Sequence, residues 1–353
     1  MGPGRDGFMQ GGFARDLAAT LAFAALLLAL PHVLANDYYV SVLILGALAA
    51  MTAAGLNLLI GFAGQVSLGH AAFVGIAAYS SALLTTRAGL PPEAAICAAV
   101  ALTVVCATLI GIPTLRLSGH YLAMATLGFG VIVSIVFNQA VDLSGGPSGM
   151  VGIPRLSLLG FSFDSDLSYY RLVACLLAAQ VLFLQNLIRS RAGRALRAIH
   201  TSEAAARCMG VDVARTKLFV FVLSAGFAGL SGALYAHYLE FIAPSSFNFL
   251  HSVQYIVMVV LGGMGSIWGA VAGAFFLTAL PEFLSAFEDV ETLLYGAILI
   301  ACIMFLPGGI VGTIERVWAG LAARLRGART GQTGQTGQTG QTGSAGAGEG
   351  GNG

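Results

Sequence analysis

The chain has 353 residues, 57% of them hydrophobic and 9% charged, with a formal net charge of +1. Soluble domains carry roughly 25% charged residues, so a soluble globule of this size is excluded and lipid is the solvent for most of the length. The near-zero net charge leaves no footprint for nucleic acid, and five scattered cysteines without a C-x-x-C read as small buried hydrophobes, not as disulfides or metal ligands.

Residues 1–14 are Gly-rich and polar and read as a flexible cytoplasmic N-terminus. Residues 15–315 divide into apolar runs of about 20 residues, the length a bilayer demands. The runs predict helices near 17–35, 40–60, 67–86, 93–113, 119–138, 169–188, 217–236, 251–263, 267–284 and 292–312. The expected fold is an all-α polytopic integral membrane protein with about 8–10 transmembrane or partly re-entrant helices. The first run, after Arg5 and Arg15, could pass for a signal peptide, but a first transmembrane helix fits better because the chain continues as membrane. Residues 316–353 begin basic and become Gly-, Gln- and Thr-rich, a composition that cannot bury a core and predicts a disordered cytoplasmic tail.

Arginine placement sets the expected orientation. Arg5, Arg15, Arg116, the 189–217 segment and Arg316, Arg324, Arg326 and Arg329 fall on one side, the expected cytoplasm. Asp142, Asp164, Asp166, Glu288, Asp289 and Glu291 fall on the other, with Arg87, Arg155 and Arg171 as exceptions. Both termini are therefore expected inside.

Two glycine-rich breaks interrupt the spans: Gly61–His70, and the run Gly262, Gly263, Met264, Gly265, Ser266. Gly-interrupted segments in corresponding places of two halves point to a substrate path; tight turns that need glycine would produce the same pattern. Gln65, Ser67 and His70 lie in the first break and are candidates either for the translocation path or for capping freed backbone groups, which lipid cannot satisfy. Gly265, Gly269 and Gly273, and Gly226, Gly229 and Gly232, have the spacing that lets helix backbones approach closely.

The chain lacks a G-x-x-x-x-G-K-[ST] phosphate loop, an H-E-x-x-H and a G-x-S-x-G. It is therefore read as a non-enzyme that binds no cofactor of its own. Carboxylates and histidines deep in the spans, the usual proton relays of self-powered pumps, are scarce. Uphill transport would need energy from another chain.

The basic segment 189–217 holds seven of the 17 Lys and Arg residues: Arg189, Arg191, Arg194, Arg197, Arg207, Arg215 and Lys217. Each Arg at a helix centre would cost about 2.5–3.5 kcal/mol on the insertion scale, so this island lies outside the membrane. Thr201-Ser202-Glu203 offers an N-cap for a short helix to about Met209, and Gly210 a C-terminal stop. Small Ala204, Ala205 and Ala206 on an exposed helix suit docking into a partner's groove, whereas a solvated positive-inside loop would explain the charge alone.

The order Glu203-Ala204-Ala205 followed by Gly210 resembles the loop by which ABC importer membrane subunits engage their ATPases. The segment GRALRAIHTSEAAARCMGVDVARTKLFVFVLSAGFAGLSGALYAH (193–237) is similar to the M-type permeases of branched-chain amino acid ABC importers. So are GLNLLIGFAGQVSLGHAAFVGIAAY (55–79), YLAMATLGFG (121–130), SGGPSGMVGIP (144–154), VMVVLGGMGSIWGAVAGA (257–274) and FLPGGIVG (305–312). The resemblance covers roughly residues 37–315. It departs at Gly308, where the family often carries a polar residue, and it excludes the tail.

The resemblance implies a permease subunit in the bacterial inner membrane that moves leucine, isoleucine or valine. It implies a second permease subunit, two ATPase subunits that use ATP, and an extracytoplasmic substrate-binding protein as partners, within membrane lipid. Glu203, Ala204, Ala205 and Gly210 would form the coupling element, flanked by Arg194, Arg197 and Arg207. Urea or short amides, carried by permeases of the same architecture, are the alternative cargo. A secondary transporter is the more remote alternative.

Overall fold

The computed structural model describes residues 18–31, 37–115, 117, 119–158, 161–284, 291–305 and 309–313. Expectations for Arg5, Arg15, Arg116, Glu288, Asp289, the arginines from Arg316 onward and the Gly-Gln-Thr tail lie outside the described residues. Residues Met1–Val311 form one unit and Gly312–Gly353 a second, of which only residues 312 and 313 are described.

The chain is helical, as the apolar runs require. Helix α1 covers Ala18–Pro31. Then come α2 (Asp37–Asn57), α3 (His70–Thr86), α4 (Pro92–Thr114), α5 (His120–Gln139) and the short α6 (Val141–Ser144). After them follow α7 (Asp166–Arg189), α8 (Arg191–Thr201), α9 (Glu203–Cys208), α10 (Val213–Leu239), α11 (Phe249–Gly262), α12 (Ile267–Leu284) and α13 (Glu291–Phe305). Among the described residues, 6 helices are long and apolar enough to cross a membrane. The protein is an all-α polytopic membrane protein.

Element ends follow local chemistry. The Ser165 hydroxyl caps α7 by accepting from Ser168 N–H, and the Asp212 carboxylate caps α10 by accepting from Arg215 N–H. The Asp212 cap starts α10 four residues before the apolar run at 217 would place it. Helix α2 does not stop at Asn57 but widens into a π-helical turn, Leu58–Phe62, at the first glycine break. Helix α11 is only 14 residues long and ends at Gly263, where φ is 121°.

The centre of the bundle is α2, α3 and α10. Helices α3 and α10 pack along their length, with α4 beside both and α12 and α7 against α2. The small residues permit this. A Cβ at Gly232 would stand 2.0 Å from the Val74 carbonyl oxygen, and one at Gly273 would stand 2.2 Å from that of Met258. Polar side chains inside the spans bond to carbonyls of neighbouring helices: Tyr170 Oη to Leu27 at 2.8 Å, Gln180 Nε2 to Met51 at 2.8 Å and Ser231 Oγ to Leu48 at 2.7 Å. Helix α5 sits at the edge, with only Leu122 and Thr126 of its described residues buried.

The end opposite the basic island carries the little strand structure described. Strand β1 (Met150–Val151) pairs antiparallel with β4 (Phe241–Ile242), and β2 (Ser157–Leu158) with β3 (Phe161–Ser162). Two of the three arginines that broke the charge pattern are accounted for here. Arg155 pairs with Glu240 and donates to the Asp164 carbonyl; the Glu240 hydrogen bond pushes its guanidinium further above the usual arginine value. Arg87 donates to the Asp142 carbonyl.

Candidate coupling site and helix breaks

The basic island folds as two helices. Helix α8 is amphipathic and buries Gly193, Leu196 and Ile199. Its N-cap is Ser190, whose Oγ accepts from Ala192 N–H at 3.1 Å. Ser202, the middle residue of the Thr201-Ser202-Glu203 cap signal, caps α9 by accepting from Ala205 N–H at 3.3 Å. Gly210 has φ +80°, the left-handed region that a turn back to the membrane requires. Ile199, Ala206 and Val213 form a small apolar cluster that ties α8, α9 and the start of α10 together.

This packing sorts the residues of α9. Ala206 faces inward, while Ala204, Ala205, Arg207 and Cys208 are exposed. Glu203 turns back into the chain. Its carboxylate pairs with Lys217 on α10, whose side chain is only 4% exposed, and lies 3.7 Å from Arg207. Arg194 and Arg197 are exposed on α8 and reach the carbonyls of Arg189 and Ile188 at 3.4 and 3.5 Å. A cavity of about 570 Å³ opens between the end of α4 (Gly111, Ile112, Leu115) and Glu203, Arg207 and Lys217.

Met209 was not singled out from sequence, yet at 83% exposure it protrudes at the C-terminal end of α9. An exposed methionine facing lipid needs no explanation, but this one stands on a charged segment outside the apolar spans. Its only signal in the sequence was its place before Gly210.

The two glycine breaks meet. A Cβ on Gly61 would stand 2.2 Å from the Gly265 nitrogen, and one on Gly309 would stand 2.4 Å from Gly263 Cα. Asn57, fully buried, staples them. Its Nδ2 donates to the Ser266 carbonyl at 2.7 Å and its Oδ1 accepts from Gly265 N–H at 3.0 Å. Helix α8 touches the same junction, since a Cβ on Gly64 would stand 2.7 Å from His200 Cδ2. Asn57 gave no sequence signal, because a lone Asn at the end of an apolar run has no short-range partner.

The structure brings Ser67 and His70 together. His70 Nδ1 is 3.1 Å from Ser67 Oγ, and Nε2 is 2.7 Å from Ser224 Oγ on α10, with all three side chains buried. The backbone freed at the break is capped from other helices. Leu68 N–H donates to Thr126 Oγ1 on α5 and Ala71 N–H to Ser252 Oγ on α11, each at 3.0 Å. Gln65 stands apart: it is buried, and neither amide atom has a hydrogen-bond partner among the described residues. Among the described residues no group of three or more His, Cys, Asp or Glu could hold a metal.

Residues 38–303 match the family described as branched-chain amino acid transport system / permease component. The chain is 36% identical over 285 residues to the high-affinity branched-chain amino acid transport system permease protein LivM of Escherichia coli (strain K12), covering 73% of this chain and 66% of that protein. It is 35% identical over 280 residues to LivM of Salmonella typhimurium, with the same coverage. The LivH permease protein of Escherichia coli (strain K12) is 32% identical over 128 residues, 36% of this chain and 41% of that protein. The chain thus spans 66% of the length of the LivM proteins it matches. No solved structure matches it significantly. The family match runs through α2, both glycine breaks, the α8–α9 island and α12, and the chain belongs to the branched-chain amino acid transport permease components.

Proposed function

We propose that this chain is a membrane subunit of an ATP-driven importer for leucine, isoleucine and valine in the bacterial inner membrane, with both termini in the cytoplasm. It forms the translocation path with a second permease subunit, receives substrate from an extracytoplasmic binding protein and is moved by two ATPase subunits. The chain binds no cofactor; ATP is used by the partners. The observation that carries this reading is α9: a short capped helix outside the spans that shows Ala204, Ala205 and Met209 to solvent while Glu203 anchors it to Lys217. Small residues around one long apolar side chain suit insertion into a groove of another protein.

In this reading Ala204 and Ala205 make the close contact, Glu203 and Gly210 hold the helix in place, and Arg194, Arg197 and Arg207 supply flanking charge. Among the path candidates, Ser67 and His70 are engaged in a closed hydrogen-bonded chain, so Gln65, whose amide is uncommitted, is the member of the set best placed to meet a passing solute. The test is reconstitution of the full complex in proteoliposomes with ATP inside and binding protein outside. Leucine uptake that requires ATP supports the proposal. Urea or amide uptake without leucine uptake would reassign the cargo, and leucine uptake without ATPase subunits would overturn the mechanism.

A further inference from the structure

Beyond the first break, a cavity of about 200 Å³ lies among α2, α3, α10, α11 and α12. We propose that it is the chamber through which substrate passes, and that it is built for a small zwitterion with an aliphatic side chain. This rests on the transport reading above and deepens it by naming the residues that meet the cargo.

The first support is the cost of polarity in lipid. Tyr235, His251, Gln254, Tyr255 and Thr278 converge on this cavity from three helices, α10, α11 and α12. Polar side chains that face the interior of a membrane bundle mark substrate routes, because hydrocarbon gives them no partner. The apolar part of the lining includes Leu45, Val74, Phe247 and Met258.

The second support is the absence of fixed charge. Among the described residues, no Asp, Glu, Lys or Arg lines the cavity. A solute with net charge would be desolvated there without a counter-charge. A zwitterion brings its own, and hydroxyl and amide groups complement its two ends. His251 has a defined tautomer for this. Asn248 Oδ1 accepts from the His251 backbone N–H at 3.2 Å and lies 3.1 Å from Nδ1, so Nδ1 carries the proton and Nε2 remains an acceptor suited to an ammonium.

The third support is the broken geometry around it. Helix α11 starts at the Asn248 cap and ends after 14 residues at Gly263. Helix α12 carries Pro281, which has no N–H for the Leu277 carbonyl. The run is thus interrupted between α11 and α12 and weakened at Pro281, and interrupted helices frame substrate sites in transporters. A second cavity of about 420 Å³, lined by Leu250, Val253, Val257, Leu277 and Leu299, shares Gln254 with the first. Gln254 thus lines both cavities, one with several polar groups and the other largely aliphatic.

Thiol labelling of the full complex in proteoliposomes tests this. Gln254→Cys would be made with the five native cysteines replaced by alanine, and probed with a small hydrophilic methanethiosulfonate. If Gln254→Cys does not assemble, Thr278→Cys reports on the same chamber. The expected result is labelling that saturating leucine slows at least fivefold, and at least tenfold slower leucine uptake in Gln254→Leu, partly restored in Gln254→Asn. A thiol inert in every nucleotide state, or labelling indifferent to leucine while leucine uptake is intact, overturns the chamber and leaves the importer reading standing. Protection by urea in a complex that never moves leucine overturns the zwitterion assignment together with the cargo.

Discussion

Glu203 and Lys217 form an unequal pair, and the inequality is measurable. The Lys217 side chain is 4% exposed, whereas that of Glu203 is 38% exposed and has Arg207 as a second partner. Glu203→Gln therefore leaves a buried ammonium uncompensated, while Lys217→Met leaves a carboxylate that can turn to water. Breaking a fully buried pair costs about 3–5 kcal/mol, and partial exposure brings the effect here nearer to about 1–3 kcal/mol. Glu203→Gln should lower the thermal midpoint in detergent more than Lys217→Met, and the double variant should recover part of the loss. Equal shifts from the two single variants would mean that Lys217 is not buried in the working protein. Met209 gives the complementary case, since its side chain touches little within the chain. Met209→Glu should leave the midpoint within about 0.5 kcal/mol of the parent, the usual range for a surface change. It should reduce co-purification of the ATPase subunits at least tenfold, and undiminished recovery would remove Met209 from the docking face.

At the scale of elements, the helices were legible and their junctions were not. Most of the apolar runs end at Gly, Pro or a charged residue, so hydropathy located α2 to α5, α7 and α10 to α12 to within a few residues. The island was legible for a related reason: charge forces it out of the membrane, and Ser202 and Gly210 bound α9 by local chemistry. What the sequence could not show are contacts between residues far apart in the chain. The breaks at Gly61 and Gly265 read as corresponding segments of two halves, but only the fold shows that they touch and that Asn57 joins them across 208 residues. Likewise Ser67 and His70 read as candidates for the path or for capping the break, and their bonded chain was not legible because Ser224, 154 residues further on, completes it. The junction carries its own prediction. Asn57→Ala leaves the Gly265 N–H without its partner, at about 1–3 kcal/mol for a buried group left unpaired, while the Ser266 carbonyl keeps the Ala270 N–H at 3.1 Å. It should cut uptake while ATPase subunits still co-purify, because α9 lies outside the junction. Loss of ATPase association in Asn57→Ala would show instead that the breaks hold the island in position.

For the whole molecule, the decisive property is how little charge the bundle holds. Among the described residues of the spans, the carboxylates sit near helix ends: Glu93 in the first turn of α4, Asp166 in that of α7 and Glu282 near the end of α12. Apart from Lys217 near the start of α10, which pairs with Glu203, the buried polar residues are neutral hydroxyls, amides and histidines, and most bond to a neighbouring helix. Such a core can rearrange as packed helices but has no carboxylate relay to carry protons through it. In the importer proposed above energy enters mechanically, and α8 is the element placed to pass it on, since it packs on α9 on one side and meets the π-helical turn after α2 on the other. Uptake by the reconstituted complex should accordingly continue at constant ATP when a protonophore collapses the proton gradient, with less than a twofold change in initial rate. Abolition of uptake by the protonophore with ATP still present would place the driving force in the bundle itself. A relay would then have to be sought among His70, His237 and His251, the buried or partly buried imidazoles of the described spans.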